Sequence, residues 1–306
     1  MSSSSTVPLF DAHNHLQDGW LAPHRAQVLR DLARIPLRAA VVNGTCETDW
    51  PEVTSLCHPA APLAAAGCRL LPSYGLHPWY VGNATPQWRD TLLRTLDAPS
   101  TTPSAGDRAF VPFALGEIGL DRWILDRARP DDPRLTGLRR ASLEEQREAF
   151  TWQLALAAER NLPVTIHCLE AWGALAEILR TTPLPARGFL LHAYGGSADL
   201  ARELIPLGAY FSFNGSFLND RQCARREVFK TLPLDRLLAE TDAPAMPLPA
   251  SHRTHHLPDL PNGTALNHPA NIDAVYAGLA QLRALPIEVL AATLGENFTR
   301  LFGAPQ

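Results

Sequence analysis

Short apolar runs rich in β-branched and aromatic residues recur along the chain, each followed by Gly, Pro or polar residues and usually by a stretch of helical periodicity. These runs predict strands over residues 9–14, 39–44, 69–76, 110–117, 163–167, 188–193, 209–213 and 237–241. The clearest helix is predicted from Ser142 to Arg160. Ser142 and Glu145 stand at capping-box spacing, and Phe150, Leu154 and Ala157 recur on one face. Strands that alternate with helices build a parallel sheet, and eight is the number that closes a (β/α)8 barrel. The alternative, an open doubly wound sheet, would carry a glycine-rich phosphate turn after its first strand. Here that turn reads Asn14-His15-Leu16-Gln17-Asp18. The expectation is an α/β fold: a single TIM-type barrel over residues 7–306, its active site at the C-terminal ends of the strands, preceded by a disordered tail over residues 1–6. Surface loops are expected over the low-complexity residues 98–106 and the charged residues 127–140.

Composition narrows the picture. Hydrophobic residues make up 46% of the 306 and charged residues 19%, enough for a large core. There is no apolar run of about 18 residues, so no membrane span is expected. The polar start of the chain does not read as a signal peptide. The five cysteines are scattered without a C-x-x-C pair. That pattern suggests neither a disulfide framework nor a cysteine zinc site, and a cytoplasmic location fits it best. The net charge of −4 argues against a general polyanion-binding surface but permits a local basic patch.

The chemistry lies in where the histidines fall. Of eleven, His13, His15, His77, His167 and His192 stand at or just past predicted strand ends, as do the carboxylates Glu117 and Asp242. In a barrel those ends meet at one mouth. A period of two puts His13 and His15 on one face, a natural chelate for a metal that favours imidazole, although a lone His-x-His is equally at home in a turn. Glu117 sits in the apolar run Ala114-Leu115-Gly116-Glu117-Ile118-Gly119, where a carboxylate needs charge compensation. Asp242 is placed to ligate a metal and take a proton from water. Glu240, beside it, points the other way and reads as a supporting partner.

This set exceeds what one catalytic zinc requires, and suggests two divalent ions (zinc, manganese or magnesium) about 3.5–4 Å apart sharing a carboxylate. Lys230, the only lysine, lies in a helical stretch and cannot supply a carboxylated bridge, which leaves Glu117 for that part. His77 either contacts the substrate or caps its loop. His255 and His256 follow the eighth strand closely enough to line the mouth.

Together these motifs resemble the TatD family of metal-dependent deoxyribonucleases, within the amidohydrolase-like barrels. The similarity runs in order through Asp11-Ala12-His13-Asn14-His15-Leu16, Gly75-Leu76-His77-Pro78, Gly116-Glu117-Ile118-Gly119-Leu120-Asp121, Leu162-Pro163-Val164-Thr165-Ile166-His167, Leu191-His192-Ala193-Tyr194-Gly195-Gly196 and Glu240-Thr241-Asp242-Ala243-Pro244. The resemblance implies one ion held by His13, His15, Glu117 and Asp242, and a second held by Glu117, His167 and His192. It implies phosphodiester cleavage in DNA, often exonucleolytic, with Asp242 positioning and deprotonating the attacking water and His77 stabilising the phosphate.

The chain departs from that family where phosphate charge would be met. Leu169 stands two positions after His167, where the family carries Arg. Gly195 replaces a family Ser, and the segment from Pro261 to Asn267 lacks Arg and Lys. Arg122, Arg127, Arg221, Arg225 and Arg226 are the candidates to compensate. The expected function is therefore a two-metal phosphodiesterase acting on DNA or a small phosphodiester. The alternatives are an ester, lactone or amide hydrolase on the same barrel, or a metal-binding interaction module without turnover.

Overall fold

The computed structural model describes residues 7–98 and 114–303. The expected tail, and residues 99–106 of the expected low-complexity loop, lie outside the described residues. Eight parallel strands form one sheet in sequential order: β1 Leu9–Asn14, β2 Leu37–Asn43, β3 Arg69–Tyr74, β4 Ala114–Asp121, β5 Val164–Leu169, β6 Phe189–Leu191, β7 Ala209–Asn214 and β8 Leu237–Glu240. Backbone hydrogen bonds from Asp242 to the His13 carbonyl (2.9 Å) and from His15 to the Ala243 carbonyl (2.8 Å) join the upper ends of β8 and β1. The ring is thereby closed as a (β/α)8 barrel.

The helices are α1 Arg25–Leu32, α2 Trp50–Leu56, α3 Pro62–Ala65, α4 Trp88–Asp97, α5 Trp123–Asp126, α6 Leu143–Arg160, α7 Trp172–Thr181, α8 Ala198–Leu204, α9 Cys223–Thr231, α10 Ile272–Arg283 and α11 Ile287–Phe302. Alternation along the strands sorts side chains into two apolar layers. Ala39 and Val41 of β2 face the barrel interior with Phe10, Leu71, Leu190, Tyr210 and Leu238, and Phe298, Leu301 and Phe302 of α11 pack into the same cluster. Ala40 and Val42 face outward into the larger layer between strands and helices.

α6 begins with the expected reciprocal cap: the Ser142 hydroxyl accepts from the Glu145 amide, and the Glu145 carboxylate accepts from the Ser142 amide. Its Phe150, Leu154 and Ala157 are buried. Residues 127–140 form an irregular excursion with a short 3-10 turn at Pro133–Leu135. Their Ala128 and Leu135 join Ile124 in a small separate cluster beneath Trp79 and Trp123. Among the described residues no single helix is long and apolar enough to cross a membrane.

Two ladders are irregular where they carry candidate ligands. The β1–β2 register shifts between Asp11 and Asn14, and the β4–β5 register shifts between Leu115 and Ile118. A one-residue shift exchanges the faces of a strand. Phe10 and Ala12 can thus fill the lower interior while His13 and His15 face the mouth above them.

Candidate metal centre

Asp11 anchors the first ligand segment from within. Its carboxylate accepts from the Thr241 hydroxyl (2.6 Å), the Thr241 amide (3.0 Å), the His13 amide (3.2 Å) and Asn14 Nδ2 (3.2 Å). Burial drives the Asp11 carboxyl up to about 7 against these donors. The bonds lock the backbone of β1 to the segment bearing Asp242. Asp242 has φ +51°, and Ala193, just after His192, has φ +42°. Such left-handed backbone in non-glycine residues concentrates where a site dictates it.

Close approach of β4 and β5 brings Glu117 to His167. A Cβ at Gly116 would lie 1.9 Å from Thr165 Oγ1, and one at Gly119 (φ +146°) would lie 1.9 Å from the His167 carbonyl oxygen. Only glycine permits that spacing. The strand limits differ from expectation. β4 continues past Glu117 to Asp121, so Glu117 lies within the strand, and Asp121, not singled out beforehand, occupies its end. His167 likewise lies inside β5.

The structure brings all seven sequence-predicted groups together. Glu117 Oε2 faces His13 Nε2 (3.3 Å) and His15 Nε2 (3.2 Å), and Asp242 Oδ1 lies 3.4 Å from the same His15 nitrogen. Glu117 Oε1 faces His167 Nδ1 (2.9 Å), His192 Nε2 (2.9 Å) and His77 Nε2 (3.3 Å). The two oxygens of one carboxylate therefore address two separate sets of imidazoles. Ligand atoms about 2.0–2.1 Å from a tetrahedral ion lie about 3.4 Å from one another, which is close to these spacings.

The far side of each ring tells which nitrogen has a free lone pair. His15 Nδ1 donates to the Asn43 carbonyl (2.7 Å), which leaves Nε2 free. His167 Nε2 donates to Asp121 Oδ2 (3.0 Å), which leaves Nδ1 free. His192 Nδ1 lies 3.6 Å from Glu240 Oε1, and Ser212 and Asn214 donate to that carboxylate. His77 is the opposite case. Its Nδ1 accepts from the Trp79 amide (3.1 Å), so Nε2 carries the proton of the neutral ring. As neutral rings, His15 and His167 present acceptors to the centre, whereas His77 presents a donor.

Burial alone would lower the His15, His167 and His192 imidazoles. Their carboxylate partners outweigh it, raising His167 to about 9 and the other two well above the ordinary value. Burial would raise Glu117, but the surrounding imidazoles, led by His77, His192 and His13, hold it well below the usual carboxylate range. In His13 and His77 burial dominates and lowers the imidazole. Two buried carboxylates amid five imidazoles form a site balanced for positive charge, which protons or divalent cations both supply.

Other candidates fall elsewhere. Lys230 is exposed on α9 and paired with Glu227. His255 packs tilted against His268, 5.2 Å between ring centroids, and its amide donates to Asn271 Oδ1. Asp121 is the residue that strand-end reasoning missed. Its signal was the four-residue spacing from Glu117, which returns a strand to the same face, but the predicted strand stopped short of it.

A closed parallel barrel with imidazoles and carboxylates gathered at the strand ends defines the class of metal-dependent barrel hydrolases. Residues 10–303 match the profile of the TatD-related DNases, and the chain belongs to that family. It is 29% identical over 297 residues to the metal-dependent hydrolase YjjV of Escherichia coli, covering 96% of this chain and 98% of that one. It is 33% identical over 229 residues to a 3'-5' ssDNA/RNA exonuclease TatD of Klebsiella pneumoniae, covering 71% and 77% respectively. The metal-dependent hydrolase YabD of Bacillus subtilis is 34% identical over 190 residues, a match spanning 62% of this chain and 64% of that protein. The crystal structure of E. coli YjjV superposes with a TM-score of 0.77 at 26% identity, over 97% of this chain and 98% of that one. The chain is accordingly a metal-dependent hydrolase of the TatD family.

Proposed function

We propose that this protein is a two-metal phosphodiesterase acting on nucleic acid ends or small phosphodiesters in the cytoplasm. One ion would be held by His13, His15, Glu117 and Asp242, and the other by Glu117, His167 and His192. The observation that carries this reading is the division of Glu117, with Oε2 turned to one imidazole pair and Oε1 to the other. The similarity to TatD exonucleases supports the substrate class, and five free cysteines are in keeping with a reducing compartment.

When bound, divalent ions supply Lewis acidity to the phosphoryl group and lower the pKa of water. The protein's own groups do the rest. Asp242, among His13, His15 and His192 and held below the usual carboxylate range despite its burial, is ionised and takes the proton of the attacking water. His77, neutral and with its proton on Nε2, donates to a non-bridging phosphate oxygen. Asp121 and the Asn43 carbonyl hold the His167 and His15 imidazoles in register, and the Glu240 carboxylate lies 3.6 Å from His192 Nδ1.

The test is metal analysis followed by turnover. The expected result is two ions per chain, with manganese-, magnesium- or zinc-dependent release of nucleotides from single-stranded DNA and of nitrophenol from a nitrophenyl phosphodiester. Turnover of carbon esters or lactones alone would overturn the phosphodiesterase reading. Two bound ions with no turnover would point to a binding module.

A further inference from the structure

Resting on the phosphodiester reading, we infer that Arg225 is the anion-receiving side chain of this site, binding the phosphate of the substrate beside the metal centre. A nucleic-acid substrate needs cationic contacts, and most arginines near the mouth are already engaged. Arg122 is bonded to Asp126 (2.7 Å), Arg127 lies 3.4 Å from Glu170, Arg134 is bonded to Asp132 and Arg139 to Glu145. Arg226 is spent on backbone, donating to the carbonyls of Phe217 (2.7 Å) and Asn219 (2.5 Å). Arg221 is exposed.

Arg225 differs from all of these. It is half-buried, yet among the described residues it has neither a carboxylate partner nor a side-chain hydrogen bond. It lies in the first turn of α9, the helix that returns from the upper end of β7, and that end of the helix is at the mouth. Its guanidinium is held in place without being neutralised. One contact is the buried ring of Phe217, 5.1 Å from the guanidinium carbon to the centroid. The other is Gly195, where an added Cβ would lie 3.2 Å from both the guanidinium carbon and an Nη atom.

Gly195 is three residues past His192 in the same strand-end loop, so the cation rests against the segment that bears a candidate ligand. A partly desolvated arginine keeps its charge, and its planar fork matches phosphate. A glycine at 195 leaves room for that fork, which any side chain there would press against. The cationic charge missing at Leu169 and between Pro261 and Asn267 is thus met by Arg225 of α9, resting against the loop after β6.

Binding of a labelled, uncleavable phosphorothioate oligothymidylate, followed by fluorescence anisotropy on metal-loaded protein, tests this without turnover. Arg225→Gln is expected to weaken binding about tenfold. The slope of log affinity against log salt should fall by about 0.7, the share of one phosphate contact on a single strand, with metal content unchanged. Arg225→Lys should recover part of the loss. Gly195→Ala, which displaces the guanidinium while leaving the charge, should lose affinity without the full change in salt slope. Equal affinity and slope in wild type and Arg225→Gln, or no binding by wild type, would overturn the assignment whatever the enzyme cleaves. An Arg225-dependent affinity in a protein that cleaves no phosphodiester would instead remove the nuclease reading and leave the anion site standing.

Discussion

Asp121 carries more of the centre than its position suggests. One buried carboxylate accepts from His167 Nε2 (3.0 Å), Trp79 Nε1 (2.6 Å) and the Ile124 amide (2.9 Å). It thereby selects which nitrogen of His167 faces Glu117. Outer partners of this kind are worth about 10–100-fold in metal affinity. Asp121→Ala is therefore expected to weaken one ion by that factor and spare the other, giving close to one ion per chain after dialysis against a weak chelator. Retention of two ions would show that His167 orients itself. The candidate ligands that the fold gathers at the mouth were legible in the sequence because histidines and carboxylates are rare at apolar strand ends. Their outer partners were not, because a hydrogen bond to an Asn43 carbonyl or an Asp121 carboxylate leaves no periodic trace. The proton position on His77, which suits the neutral ring to donate from Nε2, depends on the Trp79 backbone amide and is invisible to spacing.

At the scale of elements, α6 does more than cover the barrel. Gln153 Oε1 accepts from the Leu76 amide (2.7 Å) while its Nε2 donates to the Leu76 carbonyl (3.2 Å). Gln146 makes the same two-way clamp on the backbone of Asp121, at 2.8 and 3.1 Å. Two fully buried glutamines on one helix thus fix Leu76, next to His77, and Asp121, the hydrogen-bond partner of His167. Gln153→Leu would leave both polar groups of Leu76 unpaired in the interior, costing about 2 kcal/mol or more in urea unfolding. It should also raise KM more than Ser142→Ala does, since the hydroxyl that Ser142→Ala removes bonds only the Glu145 amide and touches no site residue. A Gln153→Leu protein with wild-type stability and KM would refute the clamp. The helix itself was readable from its cap and its apolar spacing. The strand limits were read less well, and for a physical reason. The register shift between Leu115 and Ile118 breaks the alternation near Glu117, so a pattern reading ends β4 four residues early.

For the molecule as a whole, closing the outer ring places a second, unrelated histidine in the interior. His268, fully buried ahead of α10, accepts from the Ala270 amide through Nδ1 (3.0 Å), and its Nε2 lies 3.4 Å from Asp31 on α1. The tilted ring of His255 packs against it, and Asp273 stands nearby. Burial, aided by His255, lowers this imidazole from 6.5 to about 4, against the opposing pull of Asp31 and Asp273. The native state therefore holds His268 neutral where the unfolded chain protonates it. In that window the unfolded state binds more protons, so stability falls as pH drops from about 6.5 towards 4. At about pH 5 the deficit is about 2 kcal/mol relative to neutral pH. Protonation of His13 and His77, which burial also lowers, destabilises in the same direction, but His268→Asn separates these from His268. Asn keeps an acceptor for the Ala270 amide and cannot charge, while the metal centre is unchanged. Metal-free wild type should thus lose about 2 kcal/mol more than His268→Asn between pH 7 and about pH 5 in urea titrations. Parallel losses in the two proteins would mean that the seam between α1 and α10 opens enough to hydrate His268, and that the acid sensitivity of the barrel lies wholly in its mouth.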